Sequence, residues 1–140
     1  YKKSFRTFYI YLEGERQMSF KTDLERGKQG EQLVANTLSR RGWQITDLRN
    51  SAEYQKKDID FIVSKDTIET TIEIKHDARI NKTGNMYIEI ESNDRTSRKG
   101  WFYYCEAEYL FYIDAVAAAA HIFKMEDLKQ YTKLVTCATA

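Results

Sequence analysis

Leu24, Leu33, Val34, Thr37 and Leu38 recur at the spacing of one helix face, Thr22 or Asp23 can cap the start, and Gly42 ends the run. Beyond it the period shortens to that of strands. WQITDL (43–48) reads as a first strand, DIDFIVS (58–64) and TIETTIEIK (67–75) as a hairpin about the turn residues SKDT, and MYIEIES (86–92) as a further strand after the turn NKTGN. Residues 93–108 contain a helix, EYLFYID reads as a fully buried strand, and HIFKMEDLKQY as a strand running into a terminal helix. The order helix, strand, hairpin, strand, helix, strand predicts an α/β fold.

Length and composition narrow this without redirecting it. A chain of 140 residues with 42% apolar and 31% charged side chains is one domain able to bury a core, read here as residues 18–140. The opening YKKSFRTFYIYLEGERQ, 1–17, reads as an extension, either native or left by a vector. If native, FYIYL has to dock as a strand or short helix, because such residues left in water form an adhesive patch. No run approaches the roughly 20 apolar residues of a membrane span, and none resembles a secretion signal, so a cytoplasmic location and no membrane partner are expected. Cys105 and Cys137 lack the paired spacing of a zinc site and are expected as free thiols. Net charge is only +1, so any nucleic-acid surface has to be local: Arg40 and Arg41, Lys56 and Lys57, Lys75 with Arg79 and Lys82, or Arg95 with Arg98 and Lys99. The alanines at 117–120 read as packing or a helix turn.

The charged positions inside the predicted hairpin change the picture most. In KDIDFIVSKDTIETTIEIKHD, Asp58 and Asp60 share one face of the first strand, and Glu73 and Lys75 share one face of the second. Facing side chains of antiparallel strands stand about 5 Å apart at Cβ, so Asp60 and Glu73 can project toward one point. Two ionised carboxylates there repel, and a divalent cation such as Mg²⁺ relieves the repulsion through oxygen ligands while leaving positions for phosphate oxygens. Lys75 can hold an attacking water or hydroxide against the phosphate. That suits phosphodiester hydrolysis without a protein nucleophile. Neither His76 nor His121 has a partnered serine, and His76 alternates away from Glu73 and Lys75. The bland readings are a surface Glu31 on a charged helix and a Glu73–Lys75 ion pair on an ordinary sheet. Trp101, Phe102, Tyr103 and Tyr104 read as a helix anchor before a base-stacking platform.

The pattern D-x(12)-E-I-K, with Asp60 and Glu73, resembles the PD-(D/E)XK nuclease superfamily. RGKQGEQLVANTLSRRGWQI is similar to the first helix and strand of archaeal-type Holliday junction resolvases, whose helix glycine and glutamate match Gly27 and Glu31. EIKHDARINKTGNMYIEIES resembles phage and prophage members. Residues 24–92 are covered, although the proline preceding the first aspartate of the namesake motif is absent. The resemblance implies a restriction-endonuclease-like αβββαβ core with a central mixed sheet flanked by helices. It also implies a metal-dependent DNA endonuclease acting as a homodimer on branched DNA. Asp60 and Glu73 would hold Mg²⁺ or Mn²⁺, Glu31 would add a metal-site carboxylate, and Lys75 would stabilise the attacked phosphate. Asp60 is preferred over Asp58 as the main ligand because FIV follows it, as in resolvase-like members; Asp58 then stands behind it. Lys56, Lys57, Arg79 and Lys82 are the expected DNA contacts. Glu89 supports the site from the next strand or is structural. The alternatives are a non-catalytic nucleic-acid-binding module on the same scaffold, and an interaction protein using FYIYL as a partner strand.

Overall fold

The computed structural model describes residues 7–13, 23–76, 101–114 and 117–131. Its elements in chain order are β1 (Thr7–Tyr11), α1 (Asp23–Arg40), β2 (Gln44–Asp47), α2 (Ala52–Gln55), β3 (Phe61–Lys65), β4 (Ile68–His76), α3 (Trp101–Tyr104), β5 (Tyr109–Asp114), β6 (Ala119–Lys124) and α4 (125–131). Among the described residues the strands form one six-stranded sheet in the order β1, β6, β5, β4, β3, β2. Every neighbouring pair is antiparallel except β4 with β5, which run parallel. The protein is therefore α/β with a mixed sheet.

Both faces of the sheet are covered. On one, α1 lays Val34, Thr37 and Leu38 over Phe61, Val63, Ile72, Ile74, Phe111 and Ile113. On the other, Phe102, Cys105, Met125 and Leu128 cover Leu110, Tyr112 and Phe123. This explains the continuous apolar run of β5: a strand paired parallel to a neighbour and covered on both sides has no wet face. The two faces also fix which side of the sheet each charged residue of β4 takes. Ile72 and Ile74 point to α1, so Glu73 and Lys75 point to the other side.

Local chemistry sets the element ends. Gly42 has φ +92°, its N–H reaches Ser39 O at 3.1 Å and the Trp43 N–H reaches Leu38 O at 3.0 Å, the paired bonds of a Schellman stop. Asp66, at φ +56°, turns the two-residue link between β3 and β4. Ala118, at φ +49°, lies with exposed Ala117 in the turn into β6, and Ala119 and Ala120 are fully buried, so the alanine run is turn in its first half and strand packing in its second. The segment read as an extension contributes β1 as an edge strand on β6, and the Thr37 hydroxyl ties the residues after it to α1 by accepting from Glu13 N at 2.8 Å.

Two expectations need correction and some lie outside the described residues. The strand placed at 58–64 begins only at Phe61, because α2, capped by Ser51, ends in a turn that carries Asp58 into the left-handed region at φ +54°. Asp58 and Asp60 therefore do not share a strand face. The helix α2 has no apolar periodicity in its four residues and was not expected. The MYIEIES strand, the NKTGN turn, Arg79, Lys82, Glu89, Arg95, Arg98, Lys99 and Cys137 lie outside the described residues.

Gly30 marks where α1 comes closest to the sheet: a Cβ there would stand 2.6 Å from Ile113 Cδ1 in the buried core. We expect Gly30→Ala to lose about 1–3 kcal/mol by overpacking, partly offset by about 1 kcal/mol of helix propensity. In an Ile113→Val background, which removes that methyl, the same change should stabilise. Urea midpoints of the four proteins of this cycle check it; equal effects in both backgrounds would refute the close approach.

Candidate active site

The candidate site starts from a backbone irregularity. The chain enters β3 from the Asp58 turn, so the register of β3 with β4 ends at Phe61 opposite Ile72. Asp60 still bonds through its backbone on both sides, donating to Ile72 O at 2.9 Å and accepting from Leu48 N at 2.9 Å. The next amide of β4, Ile74 N, would lose its partner there, and the Asp60 side chain supplies one: Oδ2 accepts from Ile74 N at 2.9 Å. The Gln55 carboxamide donates to Ile59 O at 3.0 Å and lies 3.3 Å from Asp60 Oδ1. Asp60 is thus fixed in position with only 5% of its surface exposed.

Glu73 stands one residue along β4 from Asp60's partners and is equally buried, at 5% exposure. Its Oε1 lies 3.2 Å from Lys75 Nζ, while its Oε2 is buried with no hydrogen-bond partner. Burial, and then the negative charge of Asp60, push the Glu73 carboxyl up to about 9 against the opposing pull of Lys75. The Glu73–Lys75 contact of the bland reading is present, but on a carboxyl that is held out of water beside other acids and keeps its proton to about 9. Asp58 is raised as well, first by burial and then by Asp60, with Lys75 opposing. Its left-handed turn achieves what strand alternation was expected to do, bringing it near Lys75 and Asp60.

Glu31 comes from α1. Burial raises its carboxyl first and the charge of Asp60 next, while Arg49 lowers it. Asp60 is the common neighbour: it raises Glu31, Asp58 and Glu73 alike. Arg49 is a residue the sequence reading missed. Its guanidinium grips Asp47 through Nε to Oδ1 at 2.9 Å and Nη2 to Oδ2 at 2.7 Å, reaches Glu31 Oε2 with Nη1 at 3.3 Å, and lies 5.2 Å over the Phe61 ring. Those bonds hold Asp47 below the usual carboxylate range and Arg49 above its ordinary value. An Arg two residues after an Asp is too common a pairing to have been singled out in WQITDLRN.

Lys56 is exposed, and Lys57 Nζ lies 5.5 Å from the Tyr54 ring on the turn that carries Asp58. Trp101 is half-buried with Lys75 Nζ 4.6 Å from its ring centre, Phe102 is core, and Tyr103 and Tyr104 are exposed, so the aromatic run is only partly an anchor. The Cys105 thiol, pushed up to about 12 chiefly by burial and further by Glu73 and Asp58, is a free but un-ionised neighbour of the acids. His121 contacts Tyr9 at the far edge of the sheet, a ring distance of 4.8 Å.

Asp60 thus acts electrostatically on Glu31, Asp58 and Glu73, with Arg49 opposing it at Glu31 and Lys75 opposing it at Asp58 and Glu73. Among the described residues no three Asp, Glu, His or Cys side chains already stand as a metal-holding group, and no helix is long and apolar enough to cross a membrane. No protein-family model, no curated protein and no solved structure matches the chain.

The electrostatics give a signed expectation. Glu73 holds its proton to about 9 in the fold against 4.5 as its ordinary value, so the folded state binds more protons between those values and stability falls as pH rises through that window. Glu73→Gln, neutral and of the same shape, should match wild type near pH 5 and exceed it near pH 8 without divalent ions. Urea midpoints at the two pH values test this; parallel pH slopes would contradict the raised carboxyl.

Proposed function

We propose that the protein is a metal-dependent endonuclease that hydrolyses phosphodiester bonds of DNA on a restriction-endonuclease-like core. The observation that carries this reading is the grouping of Glu31, Asp58 and Glu73 around buried Asp60, with Lys75 on Glu73 and Glu73 Oε2 left without a partner. Burying several carboxylates together without cations is costly. The donor set is all oxygen, which suits Mg²⁺ or Mn²⁺. A cation at Asp60 and Glu73 would satisfy the orphaned oxygen and relieve the repulsion that raises Glu73. The order α1, β2, β3, β4, α3, β5, interrupted by the short α2 between β2 and β3 and with β4 parallel to β5, supports the αβββαβ core that the sequence resemblance implies.

In this reading Asp60 and Glu73 hold Mg²⁺, and Glu31 adds a carboxylate whose position Arg49 fixes; Asp58 stands behind them. When bound, Mg²⁺ supplies an acidified water and screens the charge of the attacked phosphate. Lys75 orients that water and faces the charge developing on the phosphoryl oxygens. The water's oxygen bonds to phosphorus, the bridging P–O bond breaks, and a proton passes to the departing oxygen. Lys56 and Lys57 lie on the chain between α2 and Asp58, where backbone phosphates can reach them; Arg79 and Lys82 are proposed as further contacts. Cutting two strands calls for two such sites, hence a homodimer acting on branched DNA in the manner of a Holliday junction resolvase.

Purified protein incubated with labelled linear, flapped and four-way DNA is expected to cut only with Mg²⁺ or Mn²⁺. Lys75→Ala and Asp60→Asn should lower the rate by roughly 100- to 1000-fold. Mg²⁺ should raise the melting temperature of wild type and not that of Asp60→Asn. Failure to cut any of these DNAs, or identical products from wild type and Lys75→Ala, would reduce the molecule to a binding module on the same scaffold.

A further inference from the structure

Two groups hold the Lys75 ammonium: the Glu73 carboxyl at 3.2 Å and the face of Trp101, its ring centre 4.6 Å from Nζ. The Asp58 charge acts on it from farther off. Any cation drawn into the acidic group competes with Lys75 for Glu73 and Asp58, because like charges cannot share those oxygens without cost. An aromatic ring presents a negative face to an ammonium and is a far poorer ligand for a hard, oxygen-seeking ion. Among the described residues Trp101 is the neighbour of Lys75 that a hard metal ion does not take over.

The fold holds that ring still. Trp101 opens α3, and the following residue, Phe102, is buried in the core with its ring edge-on to Trp101 at 5.9 Å. Cys105 N closes the turn on Trp101 O at 3.0 Å, and Glu106 N bonds to Lys57 O at 2.9 Å, joining α3 to the turn that carries Asp58. From the other side, Lys129 of α4 donates to Cys105 O at 2.8 Å. The ring is therefore located by the same segment that locates the acids. A side chain serving only as a hydrophobic anchor has no need of a cation on its face, and Phe102 already fills the anchor position.

We infer that Trp101 is a positioning residue for Lys75, keeping the ammonium over the site when Glu73 and Asp58 turn to a metal ion. The catalytic part of this inference rests on the nuclease reading; the contact itself does not. The chain has two tryptophans, so Trp43→Phe leaves Trp101 as the single indole reporter. In that background, Lys75→Gln should change the emission of Trp101. On cleaved DNA, Trp101→Leu should lower kcat roughly tenfold with KM within about twofold, while Trp101→Phe, which keeps an aromatic face, should stay within about threefold of wild type. Unchanged emission on Lys75→Gln overturns the contact, and a Trp101→Leu protein with wild-type kcat overturns the positioning role. Equal losses for Phe and Leu overturn the role of the aromatic face. Should wild type cut no DNA at all, the nuclease reading fails, and the emission measurement, which needs neither DNA nor the Leu variant, still decides the contact.

Discussion

The bond from Ile74 N to Asp60 Oδ2 is the constraint from which the rest of the candidate site follows. An unpaired amide in the middle of a sheet costs about as much as a lost hydrogen bond with its desolvation, of the order of 1–3 kcal/mol. Here β3 begins late, and a side chain replaces the missing carbonyl. A carboxylate recruited for that task is drawn under the sheet's surface and cannot swing away. Once it is there, every acid nearby feels a fixed negative charge in a poorly hydrated setting. Burial first raises the carboxyls of Glu31, Asp58 and Glu73, and this charge raises them further.

Such an arrangement costs stability, and the molecule offsets it with cations of two kinds. Arg49 is bound by a planar fork to Asp47 and reaches Glu31 on the α1 side. Lys75, a flexible point charge, serves Glu73 and Asp58 from the other side and rests on Trp101. A guanidinium forked onto one carboxylate holds it in place, while the single point charge of an ammonium sets no such geometry. Glu73 Oε2 is left buried without a hydrogen-bond partner.

The topology explains why the acids meet where they do. β4 is central, antiparallel to β3 and parallel to β5, so its carboxyl end runs past the start of β3 and leaves room beside the Asp58 turn. α1 crosses the opposite face closely enough that Gly30 sits against Ile113, which brings Glu31 toward Asp60 from that side. The segment joining α3 to β5 bonds to the Asp58 turn through Glu106 N and Lys57 O. Four separate stretches of chain thereby converge.

Local pattern by itself determined the helix α1, the hairpin of β3 and β4, the buried character of β5, the passage from β6 into α4, and the pairing of Glu73 with Lys75 on one face. Each of these is a consequence of period and turn chemistry acting within a few residues. It singled out Asp60 and Glu31 as well, though by resemblance more than by spacing. Only the tertiary structure decided that Asp58 reaches the group through a left-handed turn and not a strand, since the four residues of α2 are too few to show a period that announces it. The contacts of Arg49 with Glu31 and of Trp101 with Lys75 became visible only there, because the partners are 18 and 26 residues apart. Charge neighbours brought together by chain crossing leave no mark on sequence spacing; backbone period does.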